Sequence, residues 1–227
     1  MEIRELQKNI KVTFKDPDLL VSALTHRSYL NENRDFHLPH NERLEFLGDA
    51  VLELIATRYL YDNYPHPEGE LTNFRSALVN YRILSDIARR LGLEQFLQMS
   101  KGEAKDTGRA RQVILANAVE ALIGAIYLDQ GYDVAREFVT REILTELPDI
   151  INQGAYLDPK SKLQEIVQEK TGITPHYEVL EESGPDHDKT FTVGVYLDKK
   201  KVGEGEGPSK QEAEVAAAAN ALKVNKF

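Results

Sequence analysis

The chain has 227 residues, with 28 Lys and Arg against 37 Asp and Glu, a net charge of −9 and a pI near 5.3. That length fits one large or two small domains, and 41% apolar with 29% charged residues is an ordinary globular composition. Cysteine is absent, which excludes a disulfide framework, a Cys-ligated zinc and a thiol nucleophile, and is compatible with a reducing, cytoplasmic setting. The acidic balance argues against nucleic-acid binding by net charge alone, yet it leaves room for an enzyme whose carboxylates hold cations.

The opening MEIRELQKNIKVTFKD alternates charge with apolar groups and carries no leader-like apolar core. Asp16-Pro17 opens a helix through Leu20, Ala23 and Leu24, with proline in its first turn. A polar loop is expected over 31–41. Leu44, Leu47, Val51, Leu52, Ile55 and Tyr59 then recur at helical spacing to about Tyr61, and Pro65-His66-Pro67-Glu68-Gly69 breaks the pattern. Residues 71–91 give one or two further helices ended by Gly92. Residues 101–111 read as a charged, glycine-containing loop. Val113 to Leu128 is the longest apolar run; it is shorter than the roughly 20 residues of a membrane span. Asn117 and Glu120 interrupt it, so it reads as a buried core helix and no membrane partner is expected. Tyr132 to Leu147 is amphipathic and is expected to stop at Pro148.

The pattern then changes, and the chain divides into a helical domain over 1–148, a linker over 149–158 and a smaller domain over 159–227. Asp158-Pro159 caps a helix with Leu163, Ile166 and Val167 on one face, ending at Gly172. Three strand-like runs follow, His176 to Glu181, Phe191 to Leu197 and Val202 to Gly205. Ser209 caps a final Ala-rich helix to about Val224. The fold class is therefore all-α followed by a small α+β unit of order α-β-β-β-α.

Two helices carry unusual carboxylates. Glu42, Glu45 and Asp49 fall within about 60° of one another on a helix of 3.6 residues per turn. Like charges so placed repel, and a solvated face would tolerate them, but Leu44, Leu47, Val51 and Leu52 keep this stripe near the core. Glu120 is sharper, because its neighbours in VILANAVEALIGAIYL are almost all apolar. A buried carboxyl is protonated, paired or bound to metal. Asn117 lies one turn earlier on the same face, and Ala116, Ala121, Gly124 and Ala125 leave the helix slim enough for close packing. An all-oxygen set of this kind suits Mg²⁺ or Mn²⁺, ions that serve phosphodiester hydrolysis. The bland alternative is a buried, hydrogen-bonded glutamate.

The block HNERLEFLGDAVLE, His40 to Glu53, resembles the signature helix of bacterial ribonuclease III. ALTHRSY (Ala23 to Tyr29), EGELTNFRSALV (Glu68 to Val79) and ILANAVEALIGAIYLDQG (Ile114 to Gly131) match further blocks of that family in order, and the C-terminal unit resembles a double-stranded-RNA-binding domain. The resemblance implies a homodimeric, Mg²⁺-dependent endonuclease, with Mn²⁺ able to substitute. Such an enzyme cleaves both strands of double-stranded RNA, such as rRNA precursors, and leaves 5′-phosphate ends and short 3′ overhangs. It puts Asp49 and Glu120 in catalytic roles and Glu45, Asp49, Asn117 and Glu120 on the metal. Glu42, Glu68 and Glu103 become supporting acids, and Phe46 an aromatic that packs into the partner subunit. The family usually has Asp where this chain has Asn117, an oxygen donor without the charge. That departure raises the alternative of a catalytically impaired double-stranded-RNA-binding protein of the same fold.

Residues 158–227 hold 10 Lys, no Arg and 13 acids, a net charge of −3. Placement therefore has to do what composition does not. The resemblance puts minor-groove contacts on Gln164, Glu165 and His187, and phosphate contacts on Ser209 and Lys210. A helix N-terminus suits phosphate through its free N–H groups and positive dipole end. Weak affinity is expected, because Gln211, Glu212 and Glu214 thin the cation cluster. Gly203-Glu204-Gly205-Glu206-Gly207 reads as a turn rather than a dinucleotide loop, Lys199 to Lys201 as a hairpin turn, and His26 as a hydrogen-bonded structural histidine.

Overall fold

The computed structural model describes residues 3–105, 107–154, 156, 158–185 and 189–225, in two compact units, Met1–Tyr156 and Leu157–Phe227. The first unit is helical: α1 (Ile3–Ile10), α2 (Pro17–Ala23), α3 (Arg27–Glu32), α4 (Glu42–Asn63), α5 (Glu68–Leu78), α6 (Tyr81–Arg90), α7 (Arg109–Gln130), α8 (Tyr132–Glu142) and α9 (Leu147–Asn152). The second runs α10 (Pro159–Thr171), β1 (His176–Ser183), β2 (Thr190–Leu197), β3 (Lys200–Gly207) and α11 (Lys210–Val224).

Short polar side chains start these helices by satisfying free backbone N–H groups. Asp16 accepts from Asp18 N at 3.0 Å ahead of Pro17, Asn80 accepts from Arg82 N and Ile83 N at 2.9 and 3.1 Å, and Asp158 accepts from Ser161 N at 3.0 Å ahead of Pro159. Gly92 (φ 73°) and Gly172 (φ 71°) leave helices through the left-handed region.

Helix α7 is the axis of the first unit. Ile114, Leu115, Ala118, Val119, Leu122, Ile123 and Ile126 are buried on successive faces, and α2, α4, α6 and α8 pack around it. By length and composition α7 could cross a membrane, but most of its apolar side chains are buried inside this unit. Its crossing with α4 is unusually close. A Cβ on Gly48 would lie 1.7 Å from the Glu120 carbonyl oxygen, and one on Gly124 would lie 2.2 Å from that of Leu44. The two backbones touch there because neither glycine has a side chain.

Several local expectations change. The segment 31–41 is not all loop, since α3 runs to Glu32 with His26 as its N-cap. The amphipathic run from Tyr132 breaks at Ile143, and Pro148 sits in the first turn of α9 instead of ending a helix, a position where its missing N–H costs nothing. Segment 149–158, expected as a linker, begins as helix: Ile150 is buried and Tyr156 packs edge-on against Phe74 at 4.5 Å.

In the second unit an antiparallel sheet of order β1-β2-β3 lies against α11, α10 packs on α11, and Leu163 and Val167 of α10 share a core with Val193 and Val195 of β2. Gly203, Gly205 and Gly207 are not a turn; they form one face of β3. Added Cβ atoms would meet Ala217 O at 2.6 Å, Ala217 N at 2.1 Å and Ala213 N at 2.7 Å respectively. Alternate glycines on the strand match Ala213, Ala217 and Ala221 at four-residue spacing on α11, and the helix lies directly on the strand. The two-residue turn Asp198-Lys199 (Asp198 φ 51°) joins β2 to β3, and Lys200 and Lys201 already belong to β3.

Candidate metal centre and nucleic-acid interface

The Gly48–Gly124 contact sets the acids. It brings the Glu45–Asp49 edge of α4 against the Asn117–Glu120 edge of α7, with the Glu120 backbone at the closest approach. Glu120 is part-buried, and its carboxyl is pushed up to about 8, first by burial and then by the negative charges of Asp49 and Glu45. Glu45 is also raised, by burial, by Glu42 and by Asp49, while a side-chain hydrogen bond from Asn117 pulls it back. Asp49 is exposed. Asn117 thus donates its amide to Glu45, something an unprotonated aspartate could not do, and Oδ1 remains an acceptor.

The four oxygen-bearing side chains fit a hard divalent cation in type, and mutual repulsion is what such an ion would relieve. Among the described residues, however, no three His, Cys, Asp or Glu side chains already stand together as a metal cage. Of the four expected ligands, three are acids and the fourth is an amide.

The supporting acids do not all converge here. Glu42 borders Glu45 and pairs with Arg27 at 3.4 Å. Glu103 sits in a 3-10 turn; with Glu42 it acts on His26, whose pKa is lowered chiefly by burial. His26 hydrogen-bonds Ser28 Oγ at 2.8 Å, which accepts from Ser100 N at 3.0 Å; it is a hydrogen-bonded structural histidine, as read from the sequence, and the structure adds that it caps α3. Glu68 starts α5 beside a cavity lined by Thr57, Tyr61, His66 and Arg75, toward the other end of α4. Phe46, on the same helix as the acids, is 82% exposed, and Leu54 and Tyr61 continue an apolar stripe along α4. Sequence reasoning missed Gly48, whose only signal was a small residue facing Gly124 from the other helix.

In the second unit Gln164 and Glu165 are exposed on α10, opposite buried Leu163 and Val167. Ser209 caps α11 by accepting from Glu212 N at 3.2 Å, and its hydroxyl donates back to Glu212 Oε1 at 3.3 Å. Lys210 is exposed at the first turn. His187 lies outside the described residues.

A helical unit with clustered carboxylates at its central crossing, followed by an α-β-β-β-α module, is the architecture of a two-part RNA nuclease. The family described as Ribonuclease-III-like matches residues 16–147, and the double-stranded RNA binding motif matches residues 159–225. Relatives named Ribonuclease 3 include one from Desulforamulus reducens, 46% identical over 97% of this chain and 90% of its own length. Another, from Thermobifida fusca, is 48% identical over 98% and 91%. The nuclease domain of ribonuclease III from Campylobacter jejuni is 40% identical, covers 65% of this chain and 99% of its own, and superposes with a TM-score of 0.58. The chain belongs to the ribonuclease III family and is an endoribonuclease of that type.

Proposed function

We propose that the chain hydrolyses double-stranded RNA with Mg²⁺, or Mn²⁺ in its place, held by Glu45, Asp49, Asn117 and Glu120, and that it leaves 5′-phosphate ends and short 3′ overhangs. The observation that carries this reading is the Glu120 carboxyl, held at a glycine-tight helix crossing beside two further acids and raised to about 8. A bound cation would supply Lewis acidity to the scissile phosphate and an acidified water. Glu120 and Asp49 would hold that cation, and Asn117 lies beside Glu45. Glu42, Glu68 and Glu103 have supporting roles around RNA or the subunit contact. Gln164, Glu165 and His187 face the minor groove, and Ser209 and Lys210 the phosphates. Helical domain 1–148 carries the chemistry and 159–227 the RNA grip, and the setting is cytoplasmic processing of precursors such as rRNA.

The direct test is cleavage of a long RNA duplex with Mg²⁺, with Mn²⁺ and with chelator. Asn117 gives it a quantitative arm. Asn117→Asp adds a charge at the site and removes the hydrogen bond to Glu45. It should lower the Mg²⁺ concentration for half-maximal single-turnover cleavage by roughly tenfold, since an opposite charge nearby is worth about one to three pKa-scale units. Superimposable titrations of the two proteins would remove position 117 from the metal site.

The reading includes a two-fold homodimer. An aromatic ring left 82% exposed on α4 calls for a cover, and the Campylobacter jejuni nuclease domain has a region involved in dimer formation. Truncating a central interface aromatic costs about 2–4 kcal/mol, and a symmetric interface contains it twice. Phe46→Ala should therefore shift sedimentation at micromolar concentration from dimer toward folded monomer. A wild-type protein that sediments as a monomer there would end the dimer reading.

A further inference from the structure

The cation placed to meet RNA phosphate is already engaged inside its own module. Lys210 Nζ lies 2.9 Å from Glu182 Oε1, with the lysine side chain 57% and the glutamate 43% exposed. The same ammonium sits 5.5 Å from the centroid of the Phe191 ring, and Phe191 is the cross-strand partner of Glu182 on β2. The sheet register therefore presents a carboxylate and an aromatic face together, and the first residue of α11 reaches back onto both. Neighbouring charge does not offset this: Glu212 follows on the same helix, Glu214 holds Lys160 at 2.5 Å, and the module is net negative.

We infer that Glu182 competes with RNA phosphate for Lys210 and so restrains the affinity of the second unit for duplex RNA. This rests on the reading that the N-terminal end of α11 faces RNA. A phosphate approaching Ser209 and Lys210 must take the ammonium from Glu182 and leave an unpaired carboxylate beside a polyanion. Exposed ion pairs are individually weak, so the restraint is a matter of a few-fold. It is strongest at low ionic strength, where both the pair and the repulsion are least screened. The module then grips duplex RNA loosely by construction.

The test measures duplex binding by the full chain in chelator for the wild type, Glu182→Gln, Lys210→Gln and the double variant, from about 50 to 300 mM salt. Glu178→Gln serves as a charge-matched change on the same strand. Glu182→Gln should tighten binding about threefold to fivefold at the lowest salt, with the gain shrinking as salt rises. Lys210→Gln should weaken binding and abolish that gain in the double variant, and Glu178→Gln should change binding less than Glu182→Gln. If Lys210→Gln weakens binding but Glu182→Gln does not tighten it, the restraint is overturned while the RNA-facing role of α11 stands. An equal gain with and without Lys210, or with Glu178→Gln, also overturns it, because the effect is then general repulsion. If neither Glu182 nor Lys210 matters, the RNA-facing assignment of this end of α11 fails, and the restraint with it.

Discussion

Gly124→Ala should both destabilise the helical unit and all but stop cleavage, although it adds one methyl group in a helix. Alanine is the better helix former by about 1 kcal/mol, so local propensity predicts the opposite. The added Cβ would lie 2.2 Å from the Leu44 carbonyl oxygen and 3.1 Å from Gly48 N, all backbone atoms of α4 that cannot turn aside. The helices must then separate by more than an ångström along the axis of the core. Overpacking of this kind costs about 3 kcal/mol or more, out of a total stability of roughly 5–15 kcal/mol. The midpoint of thermal unfolding should fall by roughly 6–12 °C. Gly48→Ala, with its Cβ 1.7 Å from the Glu120 carbonyl oxygen, should do the same. The separation also draws Glu45 and Asp49 away from Glu120, and a misplacement of about 1 Å can cost a hundredfold in rate. Gly69 on α5 is the control, because a Cβ there meets nothing within 4 Å. Gly69→Ala should leave the midpoint unchanged or raise it slightly. Equal melting of the Gly69 and Gly124 variants would show that the crossing is not glycine-limited.

That crossing also shows what was legible in the sequence. Helix α7 and its buried Glu120 stood out because a carboxylate inside an apolar run is expensive, and the stripe on α4 stood out through its spacing. Which residues of the two helices meet is a tertiary fact, and no local pattern gives it; hence Gly48 went unread. The same limit hid the role of Gly203, Gly205 and Gly207. Their alternation has the period of a strand, but glycine has no hydrophobic face to mark it, and the alanines that complete it lie six to eighteen residues away on α11. Caps were legible, since Asp16, Asp158 and Ser209 act on neighbours two or three residues on. Pro148 misled because proline ends one helix and opens another with equal ease, and only the burial of Ile150 decides. Glu68 and Glu103 came from family resemblance, because no spacing or burial pattern in the chain singles them out. The engagement of Lys210 by Glu182 joins residues 28 positions apart and depends on where α11 returns to the sheet, beside the register that sets Glu182 opposite Phe191.

Glu120→Gln should abolish cleavage and, without metal, make the protein more stable at alkaline pH. On the proposed reading, loss of this carboxylate takes away a charge that would anchor a cation between the two helices. Lewis-acid assistance is worth several kcal/mol, so a fall on the order of a thousandfold or more in single-turnover rate is expected. The pH dependence separates this from simple damage. The Glu120 carboxyl is pushed up to about 8 in the folded protein, by burial and by Asp49 and Glu45, whereas an unfolded glutamate titrates near 4.3. Between those values the folded state holds a proton that the unfolded state has released. Stability contributed by the protonated form is therefore complete below the unfolded value. It declines as pH rises toward 8, and levels off above it. Glutamine carries no such proton and shows no such decline. In chelator the two proteins should melt alike near pH 5, and the variant should be ahead by about 1–2 kcal/mol near pH 8, once solvent screening of a part-exposed group is allowed for. Adding Mg²⁺ or Mn²⁺ at pH 8 should raise the midpoint of the wild type and leave the variant unmoved, because binding to the carboxylate displaces its proton. Parallel melting curves across pH 5–8, or equal stabilisation of both proteins by the cation, would mean that Glu120 neither titrates at this crossing nor holds the ion.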